Sequence, residues 1–223
     1  MNLDKVIENI ISSPLFLKLK DVVENNAWHD NETVYDHLLK TYNIARQQIK
    51  GDFIENKKAK KLFLEFINSE FENTKLSDIM LITALLHDCG KLLYYKEGEI
   101  EKSLRHVNEL GIVRMPGHEY FGSTIAINFL KDTGINNKII ERITKVIRLH
   151  DTFSDGYLMG MENWKIEEVV DDVKARAEGL YKEALFNIYC DVYTANPSRN
   201  SIKRIIEIFD QPQLYIPRKY FIK

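Results

Sequence analysis

Cysteine is scarce: the chain has 2 among 223 residues. Cys89 and Cys190 form neither a CxxC pair nor a disulfide framework, so a reducing cytoplasm is the expected compartment. Glycine (10) and proline (5) are also few, which excludes collagen-like and low-complexity chains. Neither sign of charge dominates, with 31 Lys and Arg against 33 Asp and Glu. No global basic field therefore exists to hold long nucleic acid, and only a local patch stays open. Long hydrophobic runs are missing too. The N-terminal stretch MNLDKVIENIISSPLFLKLKD breaks its apolar residues with charges and reads as neither a signal peptide nor a membrane span. There is no internal repeat, no Gly-rich phosphate loop and no Ser-His-Asp order.

What is present is helical spacing. The chain is 44% hydrophobic, and its length is enough to bury a substantial core. Val6, Ile7, Ile10 and Ile11 mark a first helix, and Leu15 to Val23 a second with Pro14 in its first turn. Val34 to Ile49 sets Leu38, Thr41, Tyr42 and Ala45 at steps of three and four. Ala59 to Phe71 does the same with Leu62, Phe63, Phe66 and Ile67. Ser77-Asp78 is expected to cap an apolar run from Ile79 to Leu86 that stops near Gly90. From Leu92 to Gly117 the periodicity fails, and irregular stretches of that length usually serve function or move. It returns at His118–Lys131, Asn136–Leu149 and Ala177–Thr194. A last helix follows Asn196-Pro197-Ser198 and runs to about Phe209, and the tail QPQLYIPRKYFIK is expected to extend over the surface. Strand signals are short and isolated, so the fold class is all-α, in one domain.

Polar groups set inside apolar helices point to chemistry. The run M-L-I-T-A-L-L-H-D-C-G-K places His87 and Asp88 at the end of a core segment. Asp191 sits in A-L-F-N-I-Y-C-D-V-Y-T-A, and an ionised carboxylate buried there needs a partner or a metal. His37 lies on the Val34–Ile49 helix, His118 opens a helix after Gly117, and His150 closes I-I-E-R-I-T-K-V-I-R-L-H. Four imidazoles and two carboxylates from separated segments can meet only in the folded core. That nitrogen and oxygen set suits divalent Mn, Fe, Co, Ni or Zn without choosing among them. The two oxygens of an aspartate can also bridge a pair of ions.

His37, His87-Asp88 within H-D-C-G-K, and Asp191 resemble the H…HD…D signature of the HD superfamily. His118 in G-H-E-Y-F-G and His150 in L-H-D resemble the extra pair of its two-metal members. The resemblance runs from Val34 to Asn196. It implies an all-α, single-domain HD-type helical bundle over 1–223, with the metal-site core at about 34–196. One ion would take His37, His87, Asp88 and Asp191; a second would take Asp88, His118 and His150. The implied activity is metal-dependent hydrolysis of a phosphomonoester or phosphodiester, of a nucleotide or related small molecule.

In the HDxGK context Lys91 is expected to touch a phosphoryl oxygen and to act with Asp88 in catalysis; its plainer reading is a helix-terminal cation favoured by the dipole. Arg105 and Arg114, in the irregular stretch, are expected to bring guanidinium donors to phosphate. Tyr94 and Tyr95 can stack a base or fill the core. Asp151 reads as structural or as support for the ligands, and His29 and His106 match no ligand position. His118-Glu119 opens an HExx sequence, but residue 122 is Gly, so a zincin helix does not follow. The run Lys57, Lys58, Lys60, Lys61 and the acidic stretch Glu167 to Asp172 read as solvated helix faces. Cys89 follows Asp88 and Cys190 precedes Asp191, so both thiols are expected near the site, facing apolar packing. Three rivals remain: a di-iron oxygenase of the same fold, a non-catalytic HD domain binding a nucleotide or a partner protein, and a nuclease for single strands.

Overall fold

A computed structural model describes residues 2–24, 31–95, 106–107, 113–196 and 199–217, with the backbone alone at 106–107 and 113–114. The first helix, α1 (Leu3–Ser12), buries Val6, Ile7 and Ile10. Ser13 then caps α2, its Oγ accepting from the Phe16 N–H at 3.2 Å, with Pro14 opening that helix. The expected helix from Leu15 to Val23 is cut short. α2 (Pro14–Leu17) passes into a 3-10 turn, Lys18–Asp21, and Val23–Glu24 forms strand β1. β1 pairs antiparallel with β2 (Glu32–Thr33), Val23 opposite Thr33. The β-branched Val22 and Val23 suit extended backbone better than helix.

Thr33 starts α3 (Val34–Gln48) by accepting the Asp36 N–H at 3.0 Å. This helix buries Val34, His37, Leu38, Thr41, Tyr42 and Ala45, the stripe of an amphipathic helix facing a core. Asn56 caps α4 (Lys57–Asn68), which stops short of the expected Phe71. There β3 (Glu70–Phe71) and β4 (Thr74–Lys75) form a hairpin. Its two turn residues, Glu72 and Asn73, take φ of 49° and 57°, the left-handed pair of a tight hairpin turn. Next comes α5 (Leu76–Leu86), three residues earlier than the apolar run marked, with Asp78 in its first turn and every residue from Ile79 to Leu86 buried. A helix buried nearly all round belongs at the centre.

Within the irregular stretch, a 3-10 turn spans Cys89–Tyr94, and β5 (His106–Val107) pairs with β6 (Val113–Arg114). Helices α6 (His118–Leu130) and α7 (Asn137–Arg148) follow, then a 3-10 turn at His150–Phe153. The acidic stretch Glu167 to Asp172 does lie on a helix, α9 (Ile166–Ala175), and a short helix with no expectation attached, α8 (Asp155–Gly160), precedes it. On α9, Val169, Val170 and Val173 are buried while Glu167, Glu168 and Asp171 face solvent. α10 (Tyr181–Ala195) starts after the expected Ala177, because Ala177 and Glu178 hold φ of 57° and 50° and break the helix. It is buried continuously from Glu183 to Cys190, the second central helix.

α11 (Asn200–Phe209) is the expected last helix. The tail beyond it does not simply extend over the surface: Pro212–Tyr215 coils into a 3-10 turn with Leu214 buried. Tyr181 Oη donates to the Leu214 carbonyl at 3.0 Å, and Lys174 Nζ to that of Gln213 at 3.0 Å. The all-α architecture holds, its only strands among the described residues being two-residue pairs. α3, α7 and α10 pack against α5, and α6 packs against α7 and the Cys89–Tyr94 turn. Among the described residues no helix is long and apolar enough to cross a membrane.

Candidate metal centre

Three histidines share one local device. His87 Nδ1 donates to the Ala84 carbonyl at 3.0 Å, His118 Nδ1 to Met115 at 2.8 Å, and His150 Nδ1 to Ile147 at 2.6 Å. A carbonyl only accepts, so Nδ1 of each ring carries a proton and Nε2 is the atom turned outward, the one left to bind a metal. For His37, on α3, Glu32 Oε2 stands 3.7 Å from Nδ1 and favours the same arrangement.

The four Nε2 atoms fall into two groups on opposite oxygens of Asp88. On one side, His37 Nε2 lies 3.5 Å and His87 Nε2 3.4 Å from Asp88 Oδ2. Asp191 Oδ1 closes that group, 2.9 Å from His37 and 3.6 Å from His87. On the other side, His118 Nε2 lies 3.0 Å and His150 Nε2 3.5 Å from Asp88 Oδ1. The two Nε2 atoms within each side stand 3.3 Å apart for His37 and His87, and 3.0 Å for His118 and His150.

Local backbone makes this possible. α5 ends at Leu86, His87 stays helical, and Asp88 turns to φ −103°, ψ 10° as the chain tightens into the 3-10 turn. His87 and Asp88 thus serve one pocket. A Cβ on Gly90 would meet the His118 carbonyl oxygen at 1.8 Å and the Gly122 nitrogen at 2.5 Å. The glycine of H-D-C-G-K therefore lies directly on the first turn of α6, which brings His118 beside Asp88. This contact escaped the sequence reading, although both glycines stand in the quoted motifs.

Charge is balanced tightly. Lys91 Nζ donates to Asp88 Oδ2 at 2.6 Å and to Glu24 Oε1 at 2.8 Å, with only 6% of the residue exposed. Burial pushes the Asp88 carboxyl up, but Lys91, His87 and His118 together outweigh it and hold it well below the usual carboxylate range. Asp191 behaves alike, with burial overcome by His37 and His87. Burial pulls the His87 imidazole down, yet Asp88 and Asp191 prevail and raise it to about 10. His150 is raised likewise, by Asp88 and Asp151 against its burial. Lys91 stays charged because its two carboxylates overcome its burial.

These residues fit a divalent ion. Ligands about 2.1 Å from a tetrahedral ion stand about 3.4 Å apart, and the separations around His37, His87, Asp88 and Asp191 run from 2.9 to 3.6 Å. Converging lone pairs repel unless a cation or protons stand among them. Asp88 Oδ1 makes the point on the other side, being buried and accepting no hydrogen bond while two Nε2 atoms face it.

The six metal-ligand candidates therefore converge. Lys91 is engaged by Asp88 and Glu24 rather than presented to solvent. Arg105 lies outside the described residues, as does His29, and Arg114 and His106 are described by backbone alone. Tyr94 is buried, its hydroxyl donating to the Pro116 carbonyl at 2.7 Å. Cys89 Sγ donates to the Gly122 carbonyl at 3.5 Å, and Cys190 is fully buried. Burial raises both thiols, so neither offers the thiolate a metal needs. Asp151 lies 3.5 Å from His150 Nε2. Glu24 and Glu32 were missed.

Among curated proteins no relative matches this chain. The HD domain family model does, over residues 34–196. That span begins with α3 and ends just past α10, so it contains both histidine pairs and both aspartates, and the chain belongs to the HD domain family, within the superfamily of metal-dependent phosphohydrolases.

Proposed function

We propose that this chain hydrolyses a phosphomonoester or phosphodiester of a nucleotide or related small molecule, using two divalent ions around a shared Asp88. One observation carries the reading: the two oxygens of Asp88 address two separate histidine pairs, Oδ2 toward His37 and His87, Oδ1 toward His118 and His150. His37, His87 and Asp191 would complete the hold on one ion, and His118 and His150 would hold the other. Bound divalent ions supply an activated water and stabilise negative charge at a phosphoryl oxygen. Mn, Fe, Co, Ni and Zn all suit the donor set.

The chain's own contribution is to fix the donors and keep both aspartates charged. Lys91 holds Asp88 in register and in its charged form, with Glu24 as its second anchor. The backbone carbonyls behind His87, His118 and His150 fix their tautomers and ring angles. The side chains of His37, His87 and Asp88 are sealed, while those of Asp191 and His118 are 21% and 14% exposed. Substrate reaches the centre from that open side. Arg114 lies four residues before His118 in sequence, and a guanidinium is suited to bind phosphate. Two buried cysteines that are free thiols support a reducing cytoplasm as the compartment of this reading.

The test is a screen of protein loaded with each metal against phosphomonoesters, cyclic phosphodiesters and dinucleotides, with oxygen uptake followed in parallel. Phosphate release or diester cleavage without oxygen uptake is expected. Oxygen consumption without either would favour the oxygenase, and nucleotide binding without turnover a non-catalytic domain.

A further inference from the structure

The two sides of Asp88 are unequal as drawn so far. The side facing His37 and His87 has its own second carboxylate, Asp191; the side facing His118 and His150 has none. From the geometry we infer that Asp151 is that missing ligand, so that the second ion is held by Asp88, His118, His150 and Asp151. This inference rests on the two-ion reading above.

His150 Nε2 lies between two carboxylates, 3.5 Å from Asp88 Oδ1 and 3.5 Å from Asp151 Oδ1. Neighbouring ligands on one ion are spaced at about that distance. Ligand atoms of Asp151, His118 and Glu119 also lie within 4.8 Å of one another. The independent sign of a cation on this side is Asp88 Oδ1, buried without a hydrogen bond and aimed at the same two imidazoles. Glu119 is the nearer acidic rival, but its Oε2 stands 3.4 Å from His118 Nδ1. That ring atom is committed to the Met115 carbonyl, on the opposite edge from the Nε2 that faces Asp88. Glu119 is thus engaged at the ring edge turned away from Asp88, and its variant below is the control for Asp151.

With Asp151 included, each side has two histidines, shared Asp88 and one further aspartate nearer the solvent. Asp151 is the more open of the two, its side chain 53% exposed against 21% for Asp191. A ligand so exposed gives the second ion the weaker hold and lets substrate oxygen compete for that position. The adjacent placement of His150 and Asp151 on one 3-10 turn, His150–Phe153, lets a single backbone segment supply both.

The experiment uses the full chain, stripped with a chelator and titrated with Co²⁺ by calorimetry and visible absorption. Wild type is expected to take two equivalents. Asp151→Asn should bind the first unchanged and the second at least tenfold more weakly, with the visible bands of the second equivalent altered. Glu119→Gln should retain both equivalents and the wild-type spectrum. Because Asp151 is exposed, its variant is expected to fold normally, checked by its melting curve after chelation. A second equivalent in Asp151→Asn with wild-type affinity and spectrum overturns the inference. So does an equal loss in Glu119→Gln, which would mark a general field of negative charge. A single equivalent in wild type would instead overturn the two-ion reading itself, and this inference with it.

Discussion

Gly90 rests against the backbone of Gly122 so closely that any Cβ on Gly90 would lie 2.5 Å from the Gly122 nitrogen and 1.8 Å from the His118 carbonyl oxygen. The clash is with backbone, so no side-chain rotation relieves it. Gly90→Ala should therefore push α6 away from the Cys89–Tyr94 turn and cost about 1–3 kcal/mol or more. Its distinctive outcome is loss of the second metal equivalent with the first retained, since His118 moves while His37, His87 and Asp191 do not. Denaturant unfolding and elemental analysis of the same preparation check both parts.

Lys91 lies between two buried carboxylates, Asp88 and Glu24. Removing it leaves two negative charges facing each other away from water. Lys91→Met should cost about 3–5 kcal/mol of stability. Adding Glu24→Gln should recover part of that loss. If the double variant is no more stable than Lys91→Met alone, the ammonium is not balancing this pair.

The pH dependence of the metal-free protein follows from the raised His87 and lowered aspartates. A histidine raised from 6.5 to about 10 stabilises the fold fully below 6.5, and that contribution is lost as pH climbs toward 10. Asp88 and Asp191, held below 3.8, contribute above that value and lose it as pH falls below. The chelated protein should melt highest between about 4 and 6.5 on account of these groups. Metal binding must displace the histidine protons, so affinity should rise with pH through neutrality. A metal affinity that is flat from pH 6 to pH 9 would contradict the assignment of His87 as a protonated site in the apo state.

Much of the centre was legible in the sequence because burial is. Asp191 is the one carboxylate of the largely apolar run Ala184–Ala195, and His87-Asp88 ends a run in which every residue from Ile79 on is buried. Glu24 was not legible: it sits in a two-residue strand, and only the fold carries it to Lys91. On α9 the acids announced a solvated helix face, while the buried face, three valines standing among them, was too diluted to mark the helix bounds. The hairpin at Glu72-Asn73 lacks the glycine that usually announces such a turn. The coil at Pro212–Tyr215 depends on partners at Lys174 and Tyr181, far away in sequence.

Arg114 offers a test of substrate binding separate from the metal. If its guanidinium meets the phosphate, Arg114→Ala should lower kcat/KM by about 2–4 kcal/mol of transition-state stabilisation. Metal content should be unchanged. An unaltered kcat/KM would remove this arginine from the chemistry.

The sharing of Asp88 is the centre of the account, and metal content tests it directly. Elemental analysis of wild type, His118→Ala and Asp88→Ala, each purified and reconstituted identically, separates the possibilities. Two equivalents in wild type, one in His118→Ala and almost none in Asp88→Ala is the expected series. Two full equivalents in Asp88→Ala would contradict it, because the carboxylate between the histidine pairs would then hold neither ion.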